Sequence, residues 1–289
     1  MKKLILIIYQ AIICISLFEY FITSQSSYAF FPTINEPNQK ELEYTSIQIG
    51  KTAIQLIQFG QNNEAIRLLK LAVNLNSKEK DLWITLAEAQ IRANKKHEAL
   101  LSLNEAIKLK PNEESNYFTK GAIYMELKKP KKAKDIIKKG LSINKNNERA
   151  YFQLGNAEIM LNNYKLALIA FQKSSKINSK FWQSINNEGL VLYELNNFKE
   201  AKSKFKLALK ISNDAEPMLA LAIILFSSDN TSIEAIELAK NALRSNPKYI
   251  SKDYQATQLW GKKLQKSAQL LFKNTEMKKA VREAKEKSQ

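Results

Sequence analysis

NNFKEAKSKF at residues 196–205 follows the plan of NNYKLALIAF at residues 162–171: two asparagines, an aromatic, an alanine and a second aromatic, 34 residues apart. Stepping by the same interval gives one alanine column, Ala65, Ala99, Ala133, Ala167, Ala201 and Ala235. Alanine is about one residue in ten, so this run has odds of roughly 10⁻⁶ before allowance for register, and the period marks a true internal repeat. Six units fill residues 46–249, as 46–79, 80–113, 114–147, 148–181, 182–215 and 216–249.

Each unit holds two helical patterns. The first carries a bulky residue (Ile49, Trp83, Tyr117, Tyr151, Ile185, Leu219) and, four residues on, a mostly small one (Ala53, Ala87, Gly121, Gly155, Gly189, Ile223). That spacing puts both on one helix face. A polar turn follows, such as Asn94-Lys95-Lys96, Asn162-Asn163 or Asn196-Asn197, and then a second helix with the alanine column. This helix also carries a mostly large column (Leu69, Leu103, Ile137, Phe171, Phe205, Ala239) and another small one (Ala72, Ala106, Gly140, Ser174, Ala208, Ala242). Small residues on facing helices let the axes approach, and large ones fill the space beside them. A single hairpin cannot bury its apolar face, so the units stack. The expected fold is all-α, an α-solenoid of six helical hairpins closed by a C-terminal capping helix.

These columns, with Pro111 and Pro247 in closing turns, resemble the tetratricopeptide-repeat family. Lys120, Glu188, Gln90 and Glu158 depart from the pattern in columns that are usually apolar, and they are expected to loosen local packing. The resemblance implies a right-handed solenoid whose concave surface, lined by the first helices, holds an extended peptide or a helix. On that reading the groove residues are Phe118, Ala122, Met125, Phe152, Asn156, Ile159, Asn186, Asn187, Leu190 and Tyr193. Asn156 and Asn187 also resemble the two asparagines with which some repeat proteins clamp the carboxylates of chaperone C-termini. The matching cationic positions are Phe152, Pro217 and Leu221, so that clamp is incomplete and strong carboxylate capture is not expected. KFWQSINNEGLVLYEL (180–195) and DYQATQLWGKKL (253–264) resemble cyanobacterial repeat proteins related to the plastid Slow Green family. That likeness implies a scaffold or assembly factor for photosynthetic membrane complexes.

The two ends read differently. Residues 1–29 begin Met1-Lys2-Lys3, run apolar from Leu4 to Phe18 and offer small residues at Ser27-Tyr28-Ala29, the pattern of an export signal or, failing cleavage, a membrane anchor. Either places the repeats outside the cytosol, in a thylakoid lumen or periplasm, or anchored at a membrane. Cys14 is the single cysteine and falls in this segment. Residues 30–45 are a lead-in linker. In 250–289, Tyr254, Leu259, Trp260, Leu264, Ala268 and Leu271 recur at helical spacing as a capping helix. A basic tail with a thin stripe of Met277, Val281 and Ala284 follows and is expected to dock loosely.

The formal charge of +17 admits a polyanion partner. Eight lysines and one acid lie between Lys128 and Lys145. Lys131, Lys134 and Lys138 fall opposite Ala133 and Ile137, however, on a face that suits solvent, and no stacking aromatics are interleaved with them. Nucleic acid is therefore disfavoured, while an anionic membrane surface stays open as a partner of a peripheral membrane organiser. His97 is the only histidine, too few ligands for a usual zinc site, and no phosphate loop or activated nucleophile is present. Neither an enzyme nor a metal or cofactor is expected; the expected partner is a protein.

Overall fold

The computed structural model describes residues 36–288, so the signal or anchor reading of residues 1–29 lies outside the described residues. The described residues divide into two units, the first ending at Leu42 and the second beginning at Glu43. In the first, the start of helix α1 (Gln39–Gln58) is capped reciprocally: Glu41 N donates to Asn38 Oδ1 at 3.1 Å and Asn38 N to Glu41 Oε2 at 3.2 Å.

The second unit is the repeat array. Helix α1 pairs with α2 (Asn62–Leu75), α3 (Lys80–Arg92) with α4 (Lys96–Leu109), and α5 (Glu114–Glu126) with α6 (Pro130–Ile143). Then α7 (Glu148–Met160) pairs with α8 (Tyr164–Ile177), α9 (Trp182–Glu194) with α10 (Phe198–Ile211), and α11 (Ala215–Ser228) with α12 (Ile233–Ser245). A 3₁₀ turn at Pro247–Ile250 leads to α13 (Lys252–Thr257) and α14 (Lys262–Phe272), and a second at Thr275–Met277 leads to α15 (Lys278–Lys287). Among the described residues every regular element is helical.

The columns do what the period implies. All six residues of the alanine column have no exposed surface, and the large side chains Leu69, Ile137, Phe171 and Phe205 are equally buried. In hairpins three to five the glycine of the first helix sits under the large residue of its partner. A Cβ built on Gly155 would lie 2.5 Å from Phe171, one on Gly189 2.6 Å from Phe205, and one on Gly121 2.5 Å from Ile137. Within hairpins one to five a residue in the left-handed conformation ends the first helix, again at 34-residue intervals: Gly60, Asn94, Lys128, Asn162 and Asn196. Each is followed by a backbone bond that closes the turn, such as Asn163 N to the Glu158 carbonyl at 2.8 Å and Asn197 N to the Leu192 carbonyl at 2.9 Å. Asparagine and glycine tolerate that conformation best, which is why the turns read as polar.

The polar residues of the apolar columns are paired, not loose. Gln90 Oε1 accepts from Ser102 Oγ at 2.8 Å, and Lys120 Nζ donates to Asn104 Oδ1 across to the preceding hairpin. Glu158 accepts from Asn163 Nδ2 at 2.8 Å and faces Lys134 Nζ at 3.7 Å. Glu188, fully buried, accepts from Ser175 Oγ of the preceding hairpin and pairs with Lys204 Nζ at 2.6 Å. Burial and the nearby Lys139 ammonium hold the Lys120 pKa below its ordinary value. His97, Lys131 and Lys138 are exposed.

The glycine columns give a direct test. Phe171 is enclosed on all sides, so Gly155→Ala should lower the unfolding free energy by about 1–3 kcal/mol through overpacking, although alanine is the better helix former by about 1 kcal/mol. A guanidinium midpoint that stays put or rises would show that the ring has room to shift.

Candidate functional site

The first helices α7, α9 and α11 line the inner surface of repeats four to six, and the chain's own C-terminal segment lies on them. Helix α14 packs against α9 and α11. Trp260, Leu264, Ala268 and Leu271 are buried in one cluster with Leu190, Tyr193, Leu219 and Ile223. Ahead of α14, Leu259 takes the left-handed conformation and inserts beside Ile159, Phe171 and Val191. The segment is therefore not one capping helix through Trp260. It breaks at residues 258–261 and turns onto the inner surface. Helix α15 packs against α12, with Met277 and Ala284 buried, so the apolar stripe of the basic tail is docked.

Two polar devices hold the segment. Glu194, the last residue of α9, caps α14: its carboxylate accepts from Leu264 N at 3.0 Å and Lys263 N at 3.3 Å, while Lys263 Nζ donates to the Glu194 carbonyl at 2.6 Å. The carboxylate lies so close to Gly261 that a Cβ there would fall 2.1 Å from Glu194 Cδ, so a larger residue would displace it. The second device is a chain of side chains through three repeats. Asn187 Nδ2 donates to Asn156 Oδ1 at 3.1 Å, and Asn186 Nδ2 to Asn187 Oδ1 at 3.3 Å and to Glu216 Oε2 at 2.8 Å. Trp260 Nε1 donates to Glu216 Oε1 at 2.7 Å. Burial raises the Glu216 pKa to about 7, aided by neighbouring Asp214 and opposed by the hydrogen bonds of Trp260, Tyr249 and Asn186.

Two openings flank this arrangement. A cavity of about 350 Å³ lies among Phe152, Trp182, Asp214, Glu216, Tyr249 and Tyr254. A cleft of about 570 Å³ lies between Met125, Asn156 and Met160 on one side and Asp253, Ala256 and Leu259 on the other. Asn156, Thr257 and Leu259 border both.

The expected groove residues are dispersed by this. Phe118 lies inside its own hairpin, its ring filling the space above Gly140. Ala122 and Met125 are half-buried, and Met125 lines the cleft. Phe152 lines the cavity with its ring against Phe181 and Phe171, at centroid distances of 5.1 and 5.8 Å. Asn156 and Asn187 line the cavity, whereas Asn186 is fully enclosed. Ile159, Leu190 and Tyr193 are covered because the C-terminal segment takes the place expected for a partner; Tyr193 donates from its hydroxyl to Ser267 Oγ at 2.7 Å. Asp214, Glu216, Trp182, Tyr249 and Tyr254 join the site without having been singled out as groove residues. Glu216 stands at the same repeat position as Glu114 and Glu148, where an acid reads as an ordinary first-turn residue.

Models of the tetratricopeptide repeat match residues 56–120, 115–147 and 148–181. Together these matches cover residues 56–181, less than half of the chain. The fold carries the same architecture beyond them, through hairpins five and six. Among solved structures, YrrB, described as a tetratricopeptide-repeat protein with an unusual peptide-binding site, aligns at 21% identity and a TM-score of 0.53, covering 63% of this chain and 94% of its own. Pseudomonas aeruginosa PilF aligns at 18% identity and a TM-score of 0.60, covering 76% and 98%. MamA from Desulfovibrio magneticus RS-1 aligns at 19% and 0.55, covering 57% and 94%. At these identities the likeness is one of fold. No curated protein matches the chain. Among the described residues no helix is long and apolar enough to cross a membrane, and no group of three or more His, Cys, Asp or Glu is placed to hold a metal.

The raised Glu216 pKa makes stability pH-dependent. Between its ordinary value of 4.5 and about 7 the folded protein keeps a proton that the unfolded chain releases, so stability falls as pH rises through that window. The total is at most about 3 kcal/mol. Glu216→Gln mimics the protonated acid; its melting temperature should match wild type near pH 5 and exceed it at pH 8, as read by thermal denaturation. A constant offset between the two across that range would mean that Glu216 does not titrate there.

Proposed function

We propose that this chain is a non-catalytic scaffold that holds a segment of another protein on its inner surface. A tetratricopeptide-repeat fold supports protein–protein interaction, and the relative YrrB is described as binding peptide. The observation that carries the finer reading is the docked C-terminal segment. It fills the inner surface of repeats five and six, so the accessible groove is that of the earlier repeats, ending at the methionine-lined cleft beside Asn156. Met125 and Met160 offer adaptable apolar contact, and Asn156 offers an amide to a partner backbone.

The setting we infer is an exported or membrane-anchored scaffold in the assembly of photosynthetic membrane complexes, which rests on the Slow Green likeness and the N-terminal pattern. Attachment to an anionic membrane through the basic surface is the second reading; it rests on the net charge. Helix α15 commits its apolar stripe to α12, which leaves that reading to charge alone.

Photo-crosslinking tests the groove. With a photoreactive residue at Met125 or Met160, the purified chain should crosslink peptides selected from a display library, and with one at exposed Leu101 on α4 it should not. Crosslinks from Leu101 but not from the cleft would move the interaction to the outer helices.

A further inference from the structure

We propose that the cavity among Phe152, Trp182, Asp214, Glu216, Tyr249 and Tyr254 binds a primary alkylammonium group. The inference deepens the scaffold reading, since the cavity adjoins the cleft at Asn156 and a partner's lysine would reach it from there.

The charge balance is the first support. The chain carries 45 Lys and Arg against 28 Asp and Glu, yet no Lys or Arg lines the cavity. Nor does either carboxylate take part in any ion pair among the described residues. Buried charge is normally neutralised by a partner, as Glu158 is by Lys134 and Glu188 by Lys204. Asp214 and Glu216, both half-buried, line the open volume, and Asp214 Oδ1 also accepts from Glu216 N at 3.0 Å.

The walls are the second. Phe152, Trp182, Tyr249 and Tyr254 present aromatic surface, which attracts a cation through the ring quadrupole and excludes an anion beside two carboxylates. They are fixed in place: Tyr249 and Tyr254 meet edge to face at 5.0 Å, Tyr249 lies 5.5 Å from Trp260, and Tyr254 Oη accepts from Asn246 Nδ2 at 3.1 Å. Glu216 is likewise held, by Trp260 and Asn186. A cavity of about 350 Å³ is of ligand-site size.

The groups facing Glu216 are Asp214, which caps its helix by accepting from Glu216 N, Asn186 on α9, and Tyr249 and Trp260 of the C-terminal segment. Burial pushes the Tyr249 hydroxyl far above its ordinary range, so it stays neutral. An ammonium therefore pairs with ionised Glu216 and displaces its proton, and binding strengthens as pH rises through neutrality.

The probe is Nα-acetyl-lysine methylamide, titrated into the full chain by NMR or calorimetry beside its uncharged norleucine analogue and free cadaverine. The lysine probe should bind saturably, about tenfold more tightly at pH 8 than at pH 6, and Asp214→Asn and Glu216→Gln should each weaken it about tenfold. A preference for cadaverine would assign the site to a free amine, and a preference for the blocked lysine to a protein side chain; both uphold it. Equal binding of norleucine, indifference to both substitutions, or no saturation would overturn it. These titrations use no groove peptide, so their failure leaves the cleft crosslinks standing, and failure of those crosslinks leaves the cavity standing.

Discussion

The contact between a glycine on the first helix and a large residue on its partner governs the middle hairpins of this structure. Gly121 under Ile137, Gly155 under Phe171 and Gly189 under Phe205 set how closely the two axes of a hairpin run. Each of those large side chains is wholly removed from water, which contributes roughly 1.5–3 kcal/mol apiece. The left-handed turn that closes each hairpin, one of the same kind in five units, keeps the pairs in register. With the hairpin fixed, stacking and the curvature of the array follow from repetition.

Polar residues set into this apolar frame take partners both within their own hairpin and across the seams between hairpins. Lys120 with Asn104 and Glu188 with Ser175 each join a first helix to the hairpin before it. A half-satisfied group in such a place would cost more than an apolar residue, so the pairing favours one register of the stack. The Asn156, Asn187, Asn186 and Glu216 chain extends the same device along three repeats. It differs in ending on a residue from outside the array, Trp260.

The array was legible in the sequence because its determinants are local and recur. Six alanines at one interval, the glycines four residues after a bulky position and the asparagines of the turns each state a packing or backbone requirement, and all agree. The groove was legible only in part. Phe118 reads as an inner-surface aromatic, and it turns into the hairpin because Gly140, 22 positions on, leaves room for its ring. Leu190 and Tyr193 do lie on the inner surface, but what covers them begins some 60 residues later. Helical spacing through Tyr254, Leu259, Trp260 and Leu264 conceals the break in the C-terminal segment, since a left-handed leucine carries no compositional mark. Gly261 is the one signal there: it is the residue that admits the Glu194 carboxylate. Nothing in the spacing of Glu216 separates it from the ordinary acids at Glu114 and Glu148; its environment is made by tertiary contact.

A stack of hairpins needs closing at its end, and the way this one is closed decides how much groove it keeps. A helix laid only on the outer side of α12 would leave the whole inner surface free. Here α15 covers α12 while α14 crosses α9 and α11, so closure and occupation of the groove are one structure. Its cost is visible in two places: a left-handed leucine, about 1–2 kcal/mol, and a carboxylate held against burial, at most about 3 kcal/mol at neutral pH. Against these stand Trp260, Leu264 and Leu271, each buried to 3% exposure or less, at roughly 1.5–3 kcal/mol apiece. Whatever neutralises or pairs that carboxylate, a proton or a cation in the adjoining cavity, strengthens the docking, and the end of the groove is thereby coupled to the charge of what occupies it.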